Sequence, residues 1–346
     1  MKKGIIEKCA LLPVNVIATA LGFATLSNVW ANPMVGFPGV RLVTMPLAAL
    51  VWLAAIIKMT VHFKTFKADY MLLVPSSLYA TFSMITMVFG GFLFDYNQVL
   101  GQAFWLVGVT LHTIHLCIFT YRFVVKGVKL DTFLPTWFVT YMGYMTAVVS
   151  GWPMRLAETP FQPLMLPILQ WVMFYGFIVY PIVVLGMLVR LSKKPIPVIL
   201  KPTGAIFLAP TSLFFISYLN MHSLFNLPQQ THHAIIVAAY IAVFITLIRV
   251  GTLLVSYLRG PFAPGLAALT FPTAIAAVAT MRMVMYLNGI EGLEGAATLL
   301  GHFFGVQLFI TTAIMVYIGF SFLLAFLDSC KSSPKASSDY SAAKLN

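Results

Sequence analysis

Leu12-Pro13-Val14-Asn15-Val16-Ile17-Ala18-Thr19-Ala20-Leu21-Gly22-Phe23-Ala24-Thr25-Leu26-Ser27-Asn28-Val29-Trp30 runs without a single charge. As a helix rising about 1.5 Å per residue, such a stretch covers nearly the whole of a bilayer's hydrocarbon core. It opens on a proline, and its small or polar residues Asn15, Thr19 and Gly22 recur one helical turn apart. The opening frame then returns four times down the chain: Leu12-Pro13-Val14, Val74-Pro75-Ser76, Leu134-Pro135-Thr136, Ala209-Pro210-Thr211 and Phe271-Pro272-Thr273. The prolines are 62, 60, 75 and 62 residues apart, about one two-helix hairpin with its connections. Self-similarity at such a period marks a repeated structural unit.

The rest of the chain agrees. Of its 346 residues 60% are hydrophobic and 9% charged, where a soluble chain carries about 25% charged. There is too little polar surface to face water, which excludes a soluble enzyme. Apolar runs of spanning length lie at Leu11–Val29, Val43–Ile57, Tyr70–Phe94, Leu100–Val125, Phe133–Gly151, Leu166–Val189, Gly204–Met221, His233–Leu258, Ala267–Leu287 and Ala297–Leu327. The runs are continuous rather than alternating, which fits helices and not a barrel. The sequence therefore predicts an all-α integral membrane protein of ten transmembrane helices in five tandem hairpins, residues 11–327. A short N-terminus (1–10) and a disordered tail (328–346) flank it. The apolar run after Lys2 and Lys3 has a signal peptide's opening but continues to Trp30, so it reads as the first span.

Charge placement sets the expected orientation. All but three of the 21 Lys and Arg residues fall on one side; Arg41, Arg155 and Arg282 fall toward the other. Basic residues are retained on the cytoplasmic side during insertion, so both termini are expected in the cytoplasm, in a cell inner (plasma) membrane. The net charge of +12 thus reports topology and not a nucleic-acid partner.

Proline removes a backbone donor and clashes with the preceding turn. Pro13, Pro75, Pro135, Pro210 and Pro272 should therefore bend or break the odd-numbered spans. Lipid cannot satisfy the freed carbonyls, so the odd spans belong inside, around an axis, with the even spans as an outer ring. The residues ahead of the prolines, Leu12, Val74, Leu134, Ala209 and Phe271, would then form a ring of similar depth. Four are aliphatic and one is a large ring, which makes Phe271 a candidate gate that excludes ions by dewetting. Thr140, Gly143, Thr273 and Ala277 lie on small-residue stripes that suit either a pore wall or close helix packing. Arg282, eleven residues after Phe271, could draw anions to the outer mouth or lie at the headgroups.

No acidic residue falls in mid-span, so a cation would find no carboxylate ring and an anion path is favoured. His112, His115, His222, His232, His233 and His302 raise a haem-bearing oxidoreductase as an alternative. Two share one helix and most of the rest sit near loops, which does not suit paired axial ligands. No phosphate-loop, zincin or nucleophile-elbow pattern is present, and no cofactor is expected.

Three further stretches carry a resemblance together with Leu12–Trp30: Phe207-Leu-Ala-Pro-Thr-Ser-Leu-Phe-Phe-Ile-Ser-Tyr-Leu219, Leu269-Thr-Phe-Pro-Thr-Ala-Ile-Ala-Ala276 and Leu247-Ile-Arg-Val250. In this order they resemble the tellurite-resistance/dicarboxylate transporter family, which includes bacterial tellurite-resistance proteins and plant guard-cell slow anion channels. The resemblance implies five hairpins about a quasi-five-fold pore, a homotrimer with one pore per protomer, and a gating phenylalanine that falls on Phe271. It implies small inorganic or carboxylate anions as cargo, carried by a channel or by a secondary carrier for C4-dicarboxylate, sulfite or tellurite. The chain departs from the family's small-residue pattern at Tyr79, Phe214 and Phe215.

Overall fold

A helix that is apolar on every side has no stripe to say which face is inward; burial has to say it. The computed structural model describes residues 4–331. Among them, nine helices are long and apolar enough to cross a membrane: α1 (Val14–Ala31), α2 (Gly39–Thr60), α3 (Leu73–Phe94), α4 (Gln98–Val125), α6 (Gln162–Lys193), α7 (Leu200–Leu224), α8 (Gln229–Leu258), α9 (Pro264–Asn288) and α10 (Glu294–Asp328). The label α5 is given to the broken segment 134–154 between α4 and α6. Over one 18-residue window of each helix, 67% to 78% of the residues are buried in α1, α3, α7 and α9, against 17% to 33% in α2, α4, α6, α8 and α10. In α5, Leu134 to Val148 are all buried except Val139 and Tyr141. The odd segments are the interior and the even helices face outward. The expected tail lies outside the described residues from 332 on, and its first residues, 328–331, continue the last helix.

α5 differs from expectation. It is not one helix but four short pieces, Trp137–Tyr141, Gly143–Met145, Thr146–Gly151 and Trp152–Met154. In an unbroken helix the carbonyls of Thr140 and Tyr141 would accept from the N–H groups of Tyr144 and Met145. Met145 N–H instead donates to the Met142 carbonyl at 3.0 Å. The two carbonyls accept from the neighbours: His112 Nε2–H of α4 at 2.8 Å and the Tyr175 hydroxyl of α6 at 3.0 Å. His115, one turn from His112, lies 3.3 Å from the Thr140 hydroxyl, which donates to the Ser77 carbonyl at 3.3 Å. The break therefore survives in an apolar interior because the outer helices satisfy it.

The prolines are the second departure. None of the five frame prolines lies beyond the first turn of a regular α-helix, although Pro46, Pro167 and Pro181 lie inside α2 and α6. Pro13 caps α1, Pro75 is the third residue of α3, and Pro135 lies two residues before Trp137. In α7 and α9 the regular α-helix starts at Leu208 and Thr270, after tighter 3-10 stretches, which again makes Pro210 and Pro272 third residues. First-turn N–H groups have no acceptor inside the helix, so proline costs nothing there and marks the start.

Two cations expected only to set topology tie the backbone just ahead of these starts. Buried Lys58 donates to the Leu12 carbonyl at 2.7 Å and to Asp69 at 2.6 Å. Arg122 donates to the carbonyls of Tyr70 and Met71 at 2.7 and 3.0 Å. Close approach completes the α3–α4 pair: a Cβ on Gly101 would stand 2.5 Å from the Phe94 Cα, and one on Gly108 2.8 Å from the Met87 nitrogen. Only glycine allows the backbones to meet so closely.

Candidate functional site

One cavity of about 270 Å³ occupies the interior where the inner helices begin. Apart from Ala263, just before α9, the whole wall comes from the odd segments: Asn15 and Ala18 of α1, Val74 and Met84 of α3, Thr136 and Gly143 of α5, Ala209 and Leu213 of α7, and Phe271 and Pro272 of α9, among others. No even helix contributes to it. The lining holds no formal charge; its polar side chains are Asn15, Thr81, Thr136 and Thr203. Three of the four are engaged: Asn15 donates to the Pro264 carbonyl at 2.7 Å, Thr81 to Leu78 at 2.7 Å and Thr203 to Leu200 at 2.6 Å. The Thr136 hydroxyl is buried and has no partner.

Three of the five residues ahead of the prolines, Val74, Ala209 and Phe271, line this cavity; Leu12 and Leu134 do not. Leu12 precedes the helical part of α1, its carbonyl tied to Lys58, so helical periodicity does not fix its direction. Leu134 packs with Phe119 and Trp137. Of the stripe residues, Gly143 reaches the wall. Thr140 is turned to the α4 histidines, Thr273 bonds back to the Leu269 carbonyl at 2.7 Å, and Ala277 packs near Leu26 and Phe304. Arg282 lies farther along α9 and donates to the Asn220 amide oxygen of α7 at 2.5 Å. The bulky departures point away from the cavity: Tyr79 meets Phe66, Phe214 stacks on Tyr180 at 4.7 Å, and Phe215 faces Tyr240.

Phe271 is itself buried at 6% exposure, at the start of the regular α-helix of α9. α1 presses on that point through Gly22. A Cβ on Gly22 would lie 2.8 Å from the Thr270 Cβ and 2.9 Å from the Phe271 nitrogen. The first turns of α1 and of the α-helical parts of α7 and α9 all contribute to the wall, through Asn15, Ala209 and Phe271. A helix N-terminus carries about half a positive charge, so the start of α1, which Pro13 caps, favours an anion in a cavity without formal charges.

Family comparison bears on the whole of this architecture. Residues 12–321 match the family model SLAC1, described as voltage-dependent anion channel. The chain belongs to the SLAC1 family. No curated protein matches the chain significantly. The SLAC1 match spans all the inner segments and the full cavity wall, and bears out the resemblance carried by Leu12–Trp30, Phe207–Leu219, Leu247–Val250 and Leu269–Ala276. It puts the chain among membrane anion channels and transporters rather than enzymes. Five of the six histidines raised as haem ligands have protein partners: His112 holds the Thr140 carbonyl at the break in α5, His115 lies against the Thr140 hydroxyl, His232 bonds Tyr218 at 2.8 Å, His222 meets the Leu219 carbonyl and His233 the Tyr286 hydroxyl.

Sequence reasoning missed Thr81 and Thr203 in the wall, and the histidine–tyrosine clamp on α5. The clamp's signal was present: His112 and His115 are the only titratable side chains in an otherwise apolar stretch from Phe104 to Thr120 apart from Cys117. A polar group that deep is kept for a partner.

Proposed function

We propose that the protein conducts small anions passively along the axis of its five odd segments, with the Phe271 ring as the gate. The observation that carries this is the cavity wall, drawn from all five odd segments and no even helix, with Phe271 in it. An ion leaving water for an apolar constriction loses its hydration. The compensation available here is the first-turn N–H groups of α1 and the unpartnered Thr136 hydroxyl, all donors. Donors suit anions, and a cation would find no carboxylate in the lining. Rotation of one ring about its side-chain bonds opens the path without moving a helix. Five hairpins in a quasi-five-fold ring, with both termini in the cytoplasm and three such chains per assembly, complete the reading.

Phe271→Ala is the test, with chloride, nitrate, sulfite and malate compared in voltage-clamped membranes. The variant should raise anion current about tenfold or more, equivalent to about 1.4 kcal/mol off the barrier. An unchanged current in a variant that folds and inserts normally removes Phe271 as the gate. Saturating counter-transport in place of current assigns the same cavity to a carrier.

A further inference from the structure

Arg282 stands eleven residues after Phe271, three helical turns and about 20° on, hence on the same face of α9. From Phe271 to Val284, only Val278 and Arg282 escape burial. Val278, seven residues after Phe271, shares that face. The side of α9 that meets the cavity at Phe271 therefore opens onto accessible space about 16 Å farther along. α7 mirrors it. Ala209 and Leu213 line the cavity, and Asn220 follows Ala209 by the same eleven residues.

These two matching positions meet. Arg282 Nη2 donates to Asn220 Oδ1 at 2.5 Å, and Asn220 is 8% exposed. None of the ion pairs found among the described residues involves Arg282. A guanidinium has five N–H donors, and the amide takes one. The remaining donors form a planar fork beside a neutral partner that fixes its orientation. An intramembrane cation without a counter-charge is a functional site by default.

We propose that Arg282 and Asn220 form a docking station for a small oxoanion, beyond Phe271 from the cavity. Two parallel N–H groups match two oxygens of one anion, whereas a halide meets the fork as a single point. The station would thus favour nitrate- or sulfite-like ions over chloride before they reach the gate. This rests on the anion-conduction reading above. A phospholipid headgroup offers the same oxygen chemistry, and the experiment separates the two sources.

The full-length protein in phosphate-free maltoside micelles is titrated calorimetrically with nitrate and with chloride, with and without added phosphatidylglycerol. The same chain in liposomes is assayed for flux of both ions. Nitrate should bind more tightly than chloride, and Arg282→Gln should weaken nitrate binding about tenfold or more, the worth of a charge-assisted hydrogen bond. Arg282→Lys should retain chloride binding and lose the nitrate preference. Asn220→Ala, which frees the fork while keeping its charge, should weaken nitrate binding less than Arg282→Gln does. Absent nitrate binding, an unaltered preference in either arginine variant, or displacement of nitrate by phosphatidylglycerol overturns the station. Nitrate binding lost in Arg282→Gln without flux in the wild type overturns conduction and leaves the station standing. Flux with unaltered binding in that variant does the reverse.

Discussion

Replacing His112 with leucine tests whether the outer helices maintain the break in α5. His112 is wholly buried and sits between two groups: its Nε2–H meets the Thr140 carbonyl at 2.8 Å, and its Nδ1 lies 2.8 Å from the Ser83 hydroxyl. Leucine has a similar bulk, so the packing loss is small. Ser83 keeps a partner, because its hydroxyl is also 2.7 Å from the Ala80 carbonyl. The Thr140 carbonyl loses its donor and cannot turn to water. One orphaned buried acceptor costs about 1–3 kcal/mol, a shift of about 5- to 150-fold in the folded-to-unfolded ratio. The chain can recover part of this by re-forming the helix through Tyr144 N–H, which would rotate Gly143 out of the cavity wall. His112→Leu should therefore lower stability in equilibrium unfolding from mixed micelles and change anion flux in liposomes. His112→Gln, whose amide can both donate and accept, should restore most of both. A leucine variant as stable as the wild type, with the same flux, would show that the break in α5 does not depend on this imidazole.

Two further outcomes follow from particular contacts. Gly22→Ala drives a methyl into Thr270 and the Phe271 backbone; it should cost about 1–3 kcal/mol of overpacking and alter conductance by displacing the start of α9. Gly91→Ala, with nothing within 4 Å of its Cβ, is the control; equal behaviour of the two variants in unfolding and flux assays refutes the contact. The Asp131 carboxyl, in the connection between α4 and α5, is held below the usual carboxylate range by a hydrogen bond from Lys194, at 2.7 Å, and by the charges of Lys194 and Arg190. Folded Asp131 thus releases its proton more readily than unfolded. Its stabilisation is complete above the unfolded value of about 4 and is lost as pH falls below that, through the folded value. Asp131→Asn should lower the melting midpoint slightly at pH 7, and the gap to the wild type should close at pH 2–3; a gap independent of pH refutes the pairing.

Much of this protein is written locally. Hydrophobic runs fixed the membrane class, and the five proline frames separated inner from outer segments, on the argument that carbonyls a proline leaves without a donor need protein or water around them rather than lipid. Lys58 and Arg122 carry a charge asymmetry that is legible without coordinates, yet their second role as donors to the Leu12, Tyr70 and Met71 carbonyls depends on which loop lies beside which helix. The same limit applies at the cavity. Periodicity puts Thr140 and Gly143, three residues apart, on one face of a continuous helix, but the segment breaks between them, so Thr140 turns to the α4 histidines while Gly143 reaches the wall. The sequence by itself determined that five equivalent segments begin with proline and that Phe271 is the aromatic among them. Only the tertiary structure decided that those prolines start helices instead of bending them, that α5 breaks at Gly143, and that Arg282 meets Asn220. Each of these turns on hydrogen-bond partners supplied from distant parts of the chain, which no local pattern encodes.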